Sequence, residues 1–431
     1  MRISVIGTGY VGLVSGVGFA SVGHDVLCVD IDEEKVEMIN RGEPPIYEKG
    51  LEELLGVLVT SGKLKATTDT ARAVVKTDIT FICVGTPSGE DGGQDLSYIE
   101  KAAEDVAEAL AKKDDYHVVC VKSTVKPGTT DGLVLRALES SGKKVGDDFG
   151  LAMNPEFLRE GIALKDFMEP DRVVIGALDK RSMEILAEVY KEFPAPKVYT
   201  DLRTAEMIKY VSNALLATKI SFANEVSRIC EETGIDVYDV MGGVGLDHRI
   251  NRDFLNAGCG FGGSCFPKDV KALVKYAHEL GMSSHLLDAV LEVNEEQPVH
   301  VIDMLERNMG SLEDKKVTVL GLAFKGGTDD IRETRALPMV KELVKRGSEV
   351  VGYDPEAMKN FSFVVDYIDY AGDLEEALEG ADACIIQNDW QEFKELTSDD
   401  FAVMKNKIVL DGRRLLDPSK LDGVTYLGVG L

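Results

Sequence analysis

The sequence predicts an α/β protein with two doubly wound parallel-sheet domains, joined by a long central helix and a helical region. Three observations carry this. A buried strand pattern at the start of the chain runs straight into a glycine-rich turn and a helix of small residues. A second series of apolar strands alternating with helices begins near Lys316. Between the two, residues 201–233 hold a helical pattern without a break. A chain of 431 residues exceeds one compact core. The pattern divides it at 1–200, 201–308 and 309–431.

Ile3-Ser4-Val5-Ile6 is the first strand, followed by Gly7-Thr8-Gly9-Tyr10-Val11-Gly12 and a helix to about Val22. A second strand, from Asp25 to Val29, ends at Asp30. Strand, Gly-x-Gly-x-x-Gly, helix, strand and acid in that order form the Rossmann-like unit that holds a dinucleotide. Gly7, Gly9 and Gly12 make the tight turn and admit the pyrophosphate, which the helix N-terminus binds, while Asp30 takes the ribose hydroxyls. Asp32, Glu33 and Glu34 follow Asp30 and would repel a 2′-phosphate, so the expected cofactor is NAD. Lys35 reads equally as an adenosine contact or a solvated helix lysine. Later strands end in Val84-Gly85-Thr86-Pro87, Lys122-Ser123-Thr124 and Asn154-Pro155-Glu156-Phe157-Leu158-Arg159-Glu160-Gly161. Ligands of such sheets sit beyond the carboxyl ends of the strands. Thr86, Thr124, Glu156 and Glu160 fall there, and paired carboxylates suit water activation and contacts to a sugar.

The stretch Gly258-Cys259-Gly260-Phe261-Gly262-Gly263-Ser264-Cys265-Phe266-Pro267-Lys268-Asp269 is the expected centre of the chemistry. Its glycines let backbone approach a ligand. Pro267 reads as the first position of a helix, which puts Cys265 in the positive potential of a helix N-terminus and favours thiolate. Lys268 adds a cation and Asp269 a carboxylate able to handle a proton or water. On the central helix Lys209 and Asn213 lie one turn apart and suit a sugar hydroxyl or an oxyanion, with Asn224 further along the same face. Residues 242–252, rich in glycine and polar side chains, read as a loop. Its Arg249 is either a basic group for an anionic ligand or a solvated arginine. The turn after the first strand of the second half, Ala323-Phe324-Lys325-Gly326-Gly327-Thr328, lacks the dinucleotide glycines but still suits a nucleotide phosphate or sugar. Lys325, Arg332, Arg413 and Arg414 lie at strand ends or in the loops after them.

Composition narrows the function classes. The formal net charge of −27 is spread along the chain and argues against nucleic acid as the main partner. No apolar run is long enough to span a bilayer, and the N-terminus reads as a strand and not as a signal peptide. Seven cysteines, an odd number set largely in strand-like runs, read as reduced thiols in a cytoplasmic protein. Six scattered histidines give no metal-ligand spacing, so no metal is expected.

Taken together, these motifs resemble the UDP-glucose/GDP-mannose dehydrogenase family over essentially the whole chain. The resemblance rests on Gly7–Gly12 with Asp30, Val84–Pro87, Lys122–Thr124, Asn154–Gly161, Lys209 with Asn213, Gly260–Asp269 and Phe324-Lys325. It implies oxidation of a nucleotide-sugar primary alcohol to a carboxylate with two NAD. In that scheme Cys265 captures the aldehyde, Lys209 and Asn213 stabilise oxyanions, Glu156 assists hydrolysis of the thioester, and Asp269 and Thr124 move protons through water. It further implies sugar-nucleotide contacts at Glu156, Phe157, Leu158, Arg159, Glu160, Phe254, Leu255, Asn256, Ala257, Gly258, Gly262, Phe324, Lys325 and Arg413. Arg249 matches a residue supplied across a dimer interface. NAD contacts fall to the Gly7–Gly12 turn with Tyr10 and Val11, and to Asp30, Lys35, Thr86, Thr124, Glu160, Lys268 and Arg332. The implied assembly is a homodimer through the central helix. Glu160-Gly161 and residues 167–172 point to UDP-glucose, with GDP-mannose and then UDP-N-acetylmannosamine as alternative substrates. A two-electron hydroxyacid dehydrogenase would need neither Cys265 nor the second half, and a binding protein without activity would not need Cys265, Lys209 and Asp269 together.

Overall fold

The structure, a computed structural model, describes residues 1–89 and 92–431. Its contacts divide the chain into two compact units, Met1–Ser212 and Asn213–Leu431.

In the first unit an eight-stranded sheet comprises β1 (Arg2–Ile6), β2 (Asp25–Val29), β3 (Leu64–Thr67), β4 (Ile79–Ile82), β5 (His117–Val121), β6 (Phe149–Met153), β7 (Val173–Ala177) and β8 (Lys197–Thr200). Their spatial order is β3-β2-β1-β4-β5-β6-β7-β8. β4, β5, β6 and β7 are buried along their whole length, because helices cover both faces of the sheet; their sequences accordingly read as unbroken apolar runs. Helix α1 (Tyr10–Ser21) packs on β1 and β2, where Phe19 meets Phe81, Phe167 and Tyr190 at ring-centroid distances of 4.8, 5.2 and 5.4 Å. Strand order reverses at β1, with β2 on one side and β4 on the other, which opens a crevice at the carboxyl ends. One pair in the sheet is antiparallel: β7, with β8 parallel to it, runs against β6. The start of β7, preceded by Arg172, therefore lies beside the carboxyl ends of β5 and β6.

Helix α2 (Leu202–Thr233) has 32 residues, so it is about 48 Å long. Asp201 caps its start, accepting from the Thr204 amide at 2.9 Å and from its hydroxyl at 2.7 Å. Gly234, with φ of 67°, stops it. The division between the two units falls within this helix.

The second unit begins with the rest of α2, then α3 (Val237–Gly245), α4 (Phe266–Glu279) and α5 (His285–Met309). Its sheet comprises β9 (Lys316–Leu320), β10 (Glu349–Tyr353), β11 (Asp369–Tyr370), β12 (Ala383–Ile386), β13 (Ile408–Asp411) and β14 (Thr425–Gly428), in the order β11-β10-β9-β12-β13-β14 and parallel throughout. Two local expectations are corrected. Gly242, Gly243 and Gly245 belong to α3 and not to a loop. Asp236 caps this helix, and Val237 and Met241 are buried one turn apart, so packing outweighs the poor helix propensity of glycine. Helix α4 starts at Phe266, one residue before Pro267, with Cys265 as its N-cap residue. Pro267 still lies in the first turn, where a missing N–H costs no helix bond.

Candidate functional site

The first unit carries a dinucleotide cradle. Gly7 has φ of 91°, and a Cβ on Gly12 would lie 1.8 Å from the Gly7 carbonyl oxygen, so neither position accepts a side chain. A Cβ on Gly9, by contrast, meets nothing within 4 Å: this residue faces open space at the N-terminus of α1, where a pyrophosphate would lie. The Asp30 carboxylate accepts from the Thr8 amide (2.8 Å), the Thr8 hydroxyl (2.6 Å) and the Asp32 amide (3.1 Å). Burial pushes this carboxyl up, but those donors outweigh burial and hold it below its ordinary value, ionised for two ribose hydroxyls. These features fit NAD. Tyr10 and Val11 are half-buried at the start of α1, and the Tyr10 hydroxyl donates to the Tyr47 carbonyl. Lys35 is half-buried near Asp30.

The loops after β4 and β5 are fastened together. Thr86 and Gln94 both donate to the Thr124 carbonyl, at 3.0 and 2.6 Å, and Ser123 donates to the Val84 carbonyl at 2.6 Å. Glu206 on α2 holds the continuation of the Thr124 loop: its two oxygens accept from the Gly128 and Thr130 amides at 2.7 and 2.8 Å. Burial pushes the Glu206 carboxyl up to about 7. Nothing local in the sequence marks this residue, because its partners lie more than 70 positions away.

Beyond β6, Glu156 and Lys209 form a buried ion pair at 2.8 Å. The second oxygen of Glu156 accepts from the Leu158 amide at 2.7 Å. Burial raises the Glu156 carboxyl, but Lys209, the Leu158 amide and Lys122 together bring it below its ordinary value. Phe157 lies under the Arg172 guanidinium, 3.8 Å from the ring centroid, and the Lys209 ammonium is 5.5 Å from the same ring. Arg159 is exposed and paired with Asp166 at 2.6 Å. Glu160 is half-buried, and the Gly161 amide after it donates to the buried carboxylate of Glu48 at 2.9 Å.

In the second unit Cys265 is half-buried at the N-terminus of α4, with the Ser264 hydroxyl 3.6 Å from its sulfur. The other six cysteines are buried thiols. Burial pushes Cys259 up to about 12, as it does Cys28 and Cys83. Asp269, one turn into the helix, donates its amide to the Cys265 carbonyl at 2.9 Å. Its buried carboxylate is held on both oxygens at 2.6 Å, by Lys268 on one and by Asn213 on the other. Thiol, ammonium and carboxylate, close in sequence, are thus joined at one helix end by the carboxamide of Asn213, 56 positions before Asp269.

The glycine loop before Cys265 is clamped by carboxamides. Asn224 accepts from the Gly258 amide (2.8 Å), Gln297 donates to the Gly258 carbonyl (2.8 Å), and Asn294 bonds both the amide and the carbonyl of Phe261 (2.7 and 3.0 Å). Asn224 is therefore buried and structural, whereas Asn294 and Gln297 went unnoticed in the sequence. A Cβ on Gly262 would lie 2.3 Å from the Glu333 carbonyl oxygen and 3.3 Å from Phe324, so the loop lies directly on the second Rossmann-like half. Leu255, Ala257 and Gly258 are buried, Phe254 is half-buried with φ of 64°, and Asn256 is exposed. Lys325 stacks on Phe324 at 5.5 Å, and Arg413 donates to the Gln387 carbonyl at 2.9 Å. Arg249 and Arg332 are exposed on their own loops, each engaged by the aspartate two residues earlier.

Asp354 follows β10 as Asp30 follows β2. It is fully buried, and its carboxylate accepts from six groups: the amides of Leu322, Ala323, Glu356 and Ala357, the Asn388 carboxamide and the indole of Trp390. No lone pair remains for a ribose, so this half has the Rossmann-like topology without the dinucleotide site. Among the described residues, no three His, Cys, Asp or Glu side chains cluster as metal ligands, and no helix is long and apolar enough to cross a membrane.

A dinucleotide cradle on the first doubly wound sheet, and a second Rossmann-like sheet without one, place the chain in the class of NAD-binding dehydrogenases. Three successive models of one family match the chain: the NAD binding domain at residues 1–194, the central domain at 203–296 and the UDP binding domain at 318–418. The chain belongs to the UDP-glucose/GDP-mannose dehydrogenase family, whose members are NAD-dependent oxidoreductases of nucleotide sugars. It is 46% identical to UDP-glucose 6-dehydrogenase AglM of Haloferax volcanii over 99% of both chains. It is 44% identical to UDP-glucose 6-dehydrogenase TuaD of Bacillus subtilis over 99% of this chain and 92% of that one. The solved UDP-glucose dehydrogenase of Pyrobaculum islandicum superposes with a TM-score of 0.93 at 45% identity, covering 100% of this chain and 97% of the other.

Proposed function

We propose that the chain converts UDP-glucose to UDP-glucuronate through a covalent intermediate on Cys265, with two NAD reduced per sugar. The observation that carries this reading is the Asp269 carboxylate, braced by Lys268 and Asn213 one turn into the helix that Cys265 caps. NAD held at the Gly7–Gly12 turn and Asp30 would supply the hydride acceptor for each of the two oxidations at the sugar C6. Asp269 and Thr124 pass the hydroxyl proton to water as the alcohol becomes an aldehyde. The Cys265 sulfur adds to the aldehyde carbon, and Lys209 and Asn213 donate to the oxyanion that forms. Loss of the second hydride leaves a thioester. Glu156 then takes a proton from water, the C–O bond forms, the C–S bond breaks, and the thiolate returns. Covalent capture holds the reactive aldehyde while the cofactor is exchanged. Phe157, Leu158 and Glu160, with residues 254–258, Gly262, Phe324, Lys325 and Arg413, supply the nucleotide-sugar contacts, and Lys35, Thr86, Lys268 and Arg332 those to NAD. The functional regions are 1–200 for NAD, 201–308 for the helix and thiol, and 309–431 for the nucleotide.

The expected result is two NADH per UDP-glucose consumed, followed at 340 nm, with little from GDP-mannose. Two per GDP-mannose alone would keep the chemistry and change the sugar. One per sugar would remove Cys265 from the mechanism.

The chain acts as a homodimer through α2. Leu215, Phe222 and Ile229, spaced by seven residues and so on one face, are 60, 52 and 62% exposed, an apolar stripe that a second copy would cover. Arg249 would then reach the partner's site. Phe222→Asp is expected to shift the sedimenting species from dimer to monomer, and a monomeric parent chain would reject the assembly. Seven unpaired cysteines support a cytoplasmic location, which fractionation of the source cells checks.

A further inference from the structure

One buried cation has no task in this scheme. Lys122 directly follows β5 and is 3% exposed. Its ammonium donates to the Asn154 carboxamide oxygen at 2.8 Å and to the Tyr190 hydroxyl at 3.1 Å. Tyr190 donates to the same Asn154 oxygen at 2.5 Å, and Asn154 donates to the Val174 carbonyl at 2.7 Å. No described residue accepts the third N–H of the ammonium. Lys122, Asn154, Glu156, Phe167, Arg172 and Tyr190 line a cavity of about 260 Å³. Burial pushes Lys122 below its ordinary value, and no carboxylate touches it. An uncharged side chain of the same length would pack against the Phe167 and Tyr190 rings without the cost of burying charge. The charge therefore has an electrostatic use, and Glu156, two residues beyond Asn154, is the carboxylate that feels it.

We propose that Lys122 is a positioning residue for Glu156: it fixes the Asn154-Pro155-Glu156 turn through Asn154 and provides a second positive charge in the cavity that Glu156 lines. The need for it follows from the double duty of Lys209. That ammonium pairs with Glu156 and, when an oxyanion forms, turns part of its charge to the oxyanion. A buried carboxylate deprived of its counterion takes up a proton and stops serving as a base. Lys122, engaged only with Asn154 and Tyr190, holds Glu156 ionised through that moment. The other charged or titratable groups facing Glu156 are Arg172 over Phe157, Cys83 after β4, and Arg159, Lys165, Asp166, Glu169 and Asp171 around the cavity.

This inference rests on Glu156 acting as base in thioester hydrolysis. The experiment compares Lys122→Met, Lys122→Arg, Tyr190→Phe and Glu156→Gln in the full chain with UDP-glucose and NAD, from pH 6 to 9. It reads kcat against pH, the first-turnover burst of NADH, and the intact mass of acid-quenched protein. For Lys122→Met the expected result is a retained burst, a kcat lower by about tenfold, uronyl thioester accumulating on the protein, and an acidic limb moved up by about one pH unit. Lys122→Arg keeps the wild-type limb, and so does Tyr190→Phe, which keeps the ring and the charge. Should the Met variant not fold, Lys122→Gln gives the same readouts. An unshifted limb without accumulated thioester in the uncharged variants overturns the inference, whether activity is kept or lost. Thioester in Glu156→Gln but not in Lys122→Met rejects the role of Lys122 alone. Its absence from Glu156→Gln rejects the role of Glu156 and this inference with it.

Discussion

Replacing Cys265 with serine is expected to abolish net four-electron turnover, lowering UDP-glucuronate production by about 10³-fold or more, while UDP-glucose and NAD still bind. The two side chains differ by one atom, and Cys265 is half-buried at a helix N-cap where serine is a favoured residue. The apparent Tm is therefore expected to stay within about 2 °C of the parent chain. What changes is the nucleophile. A thiol ionises near neutrality and its thiolate attacks carbonyl carbon readily, whereas a serine hydroxyl needs a positioned base to do so. The nearest carboxylate along the helix, Asp269, is already engaged on both oxygens by Lys268 and Asn213. Product is measured by chromatography of the uronate, with NADH in parallel. Acid production by the serine variant at the parent rate would eliminate the covalent mechanism.

How much of this was legible in the sequence depended on distance along the chain. The Gly7–Gly12 turn with Asp30, and the run from Cys265 to Asp269, are local: spacing alone places their groups at a helix start or a strand end, and the structure has them there. The pairing of β7 against β6 was not legible, because an apolar run such as Val173–Ala177 has the same composition in either direction. That reversal brings Arg172 over Phe157. Likewise, nothing local marks Glu206, Asn294 or Gln297 as different from solvated polar residues, since their partners lie 33 or more positions away. Lys122 was visible only as one letter of a strand-end turn, and its meaning comes from Asn154 and Tyr190, 32 and 68 residues on. Asp354 likewise takes its meaning from partners apart in sequence, since its six bound donors come from three separate segments of the second half.

Lys209→Met is expected to damage stability and activity together, and the pH dependence separates the two. Lys209 and Glu156 are both buried, 2.8 Å apart. Removing the ammonium leaves a buried carboxylate with the Leu158 amide as its one direct partner and Lys122 as its remaining cation. Loss of one member of a buried pair costs about 3–5 kcal/mol, an apparent Tm drop of roughly 10 °C for a chain of this kind. The sign with pH follows from Glu156. In the parent chain its carboxyl is held below the ordinary value, so the pair contributes stability above the unfolded carboxyl pKa and loses it as pH falls through the lowered one. In the variant, burial without Lys209 raises the carboxyl instead, and protonation relieves the penalty. The gap in Tm between parent and variant is thus expected to be widest near pH 8 and to narrow toward pH 5. Lys209→Met combined with Glu156→Leu removes both charges and is expected to recover most of the lost stability, because an apolar pair of similar volume fills such a site without cost. It is expected to recover none of the activity, which falls by about 10³-fold in both variants for want of the oxyanion donor. Thermal unfolding from pH 5 to 8 and steady-state turnover at pH 8 check this. A single variant as stable as the parent at pH 8 would mean that the ion pair is not buried in solution, and an active double variant would remove Lys209 from the chemistry.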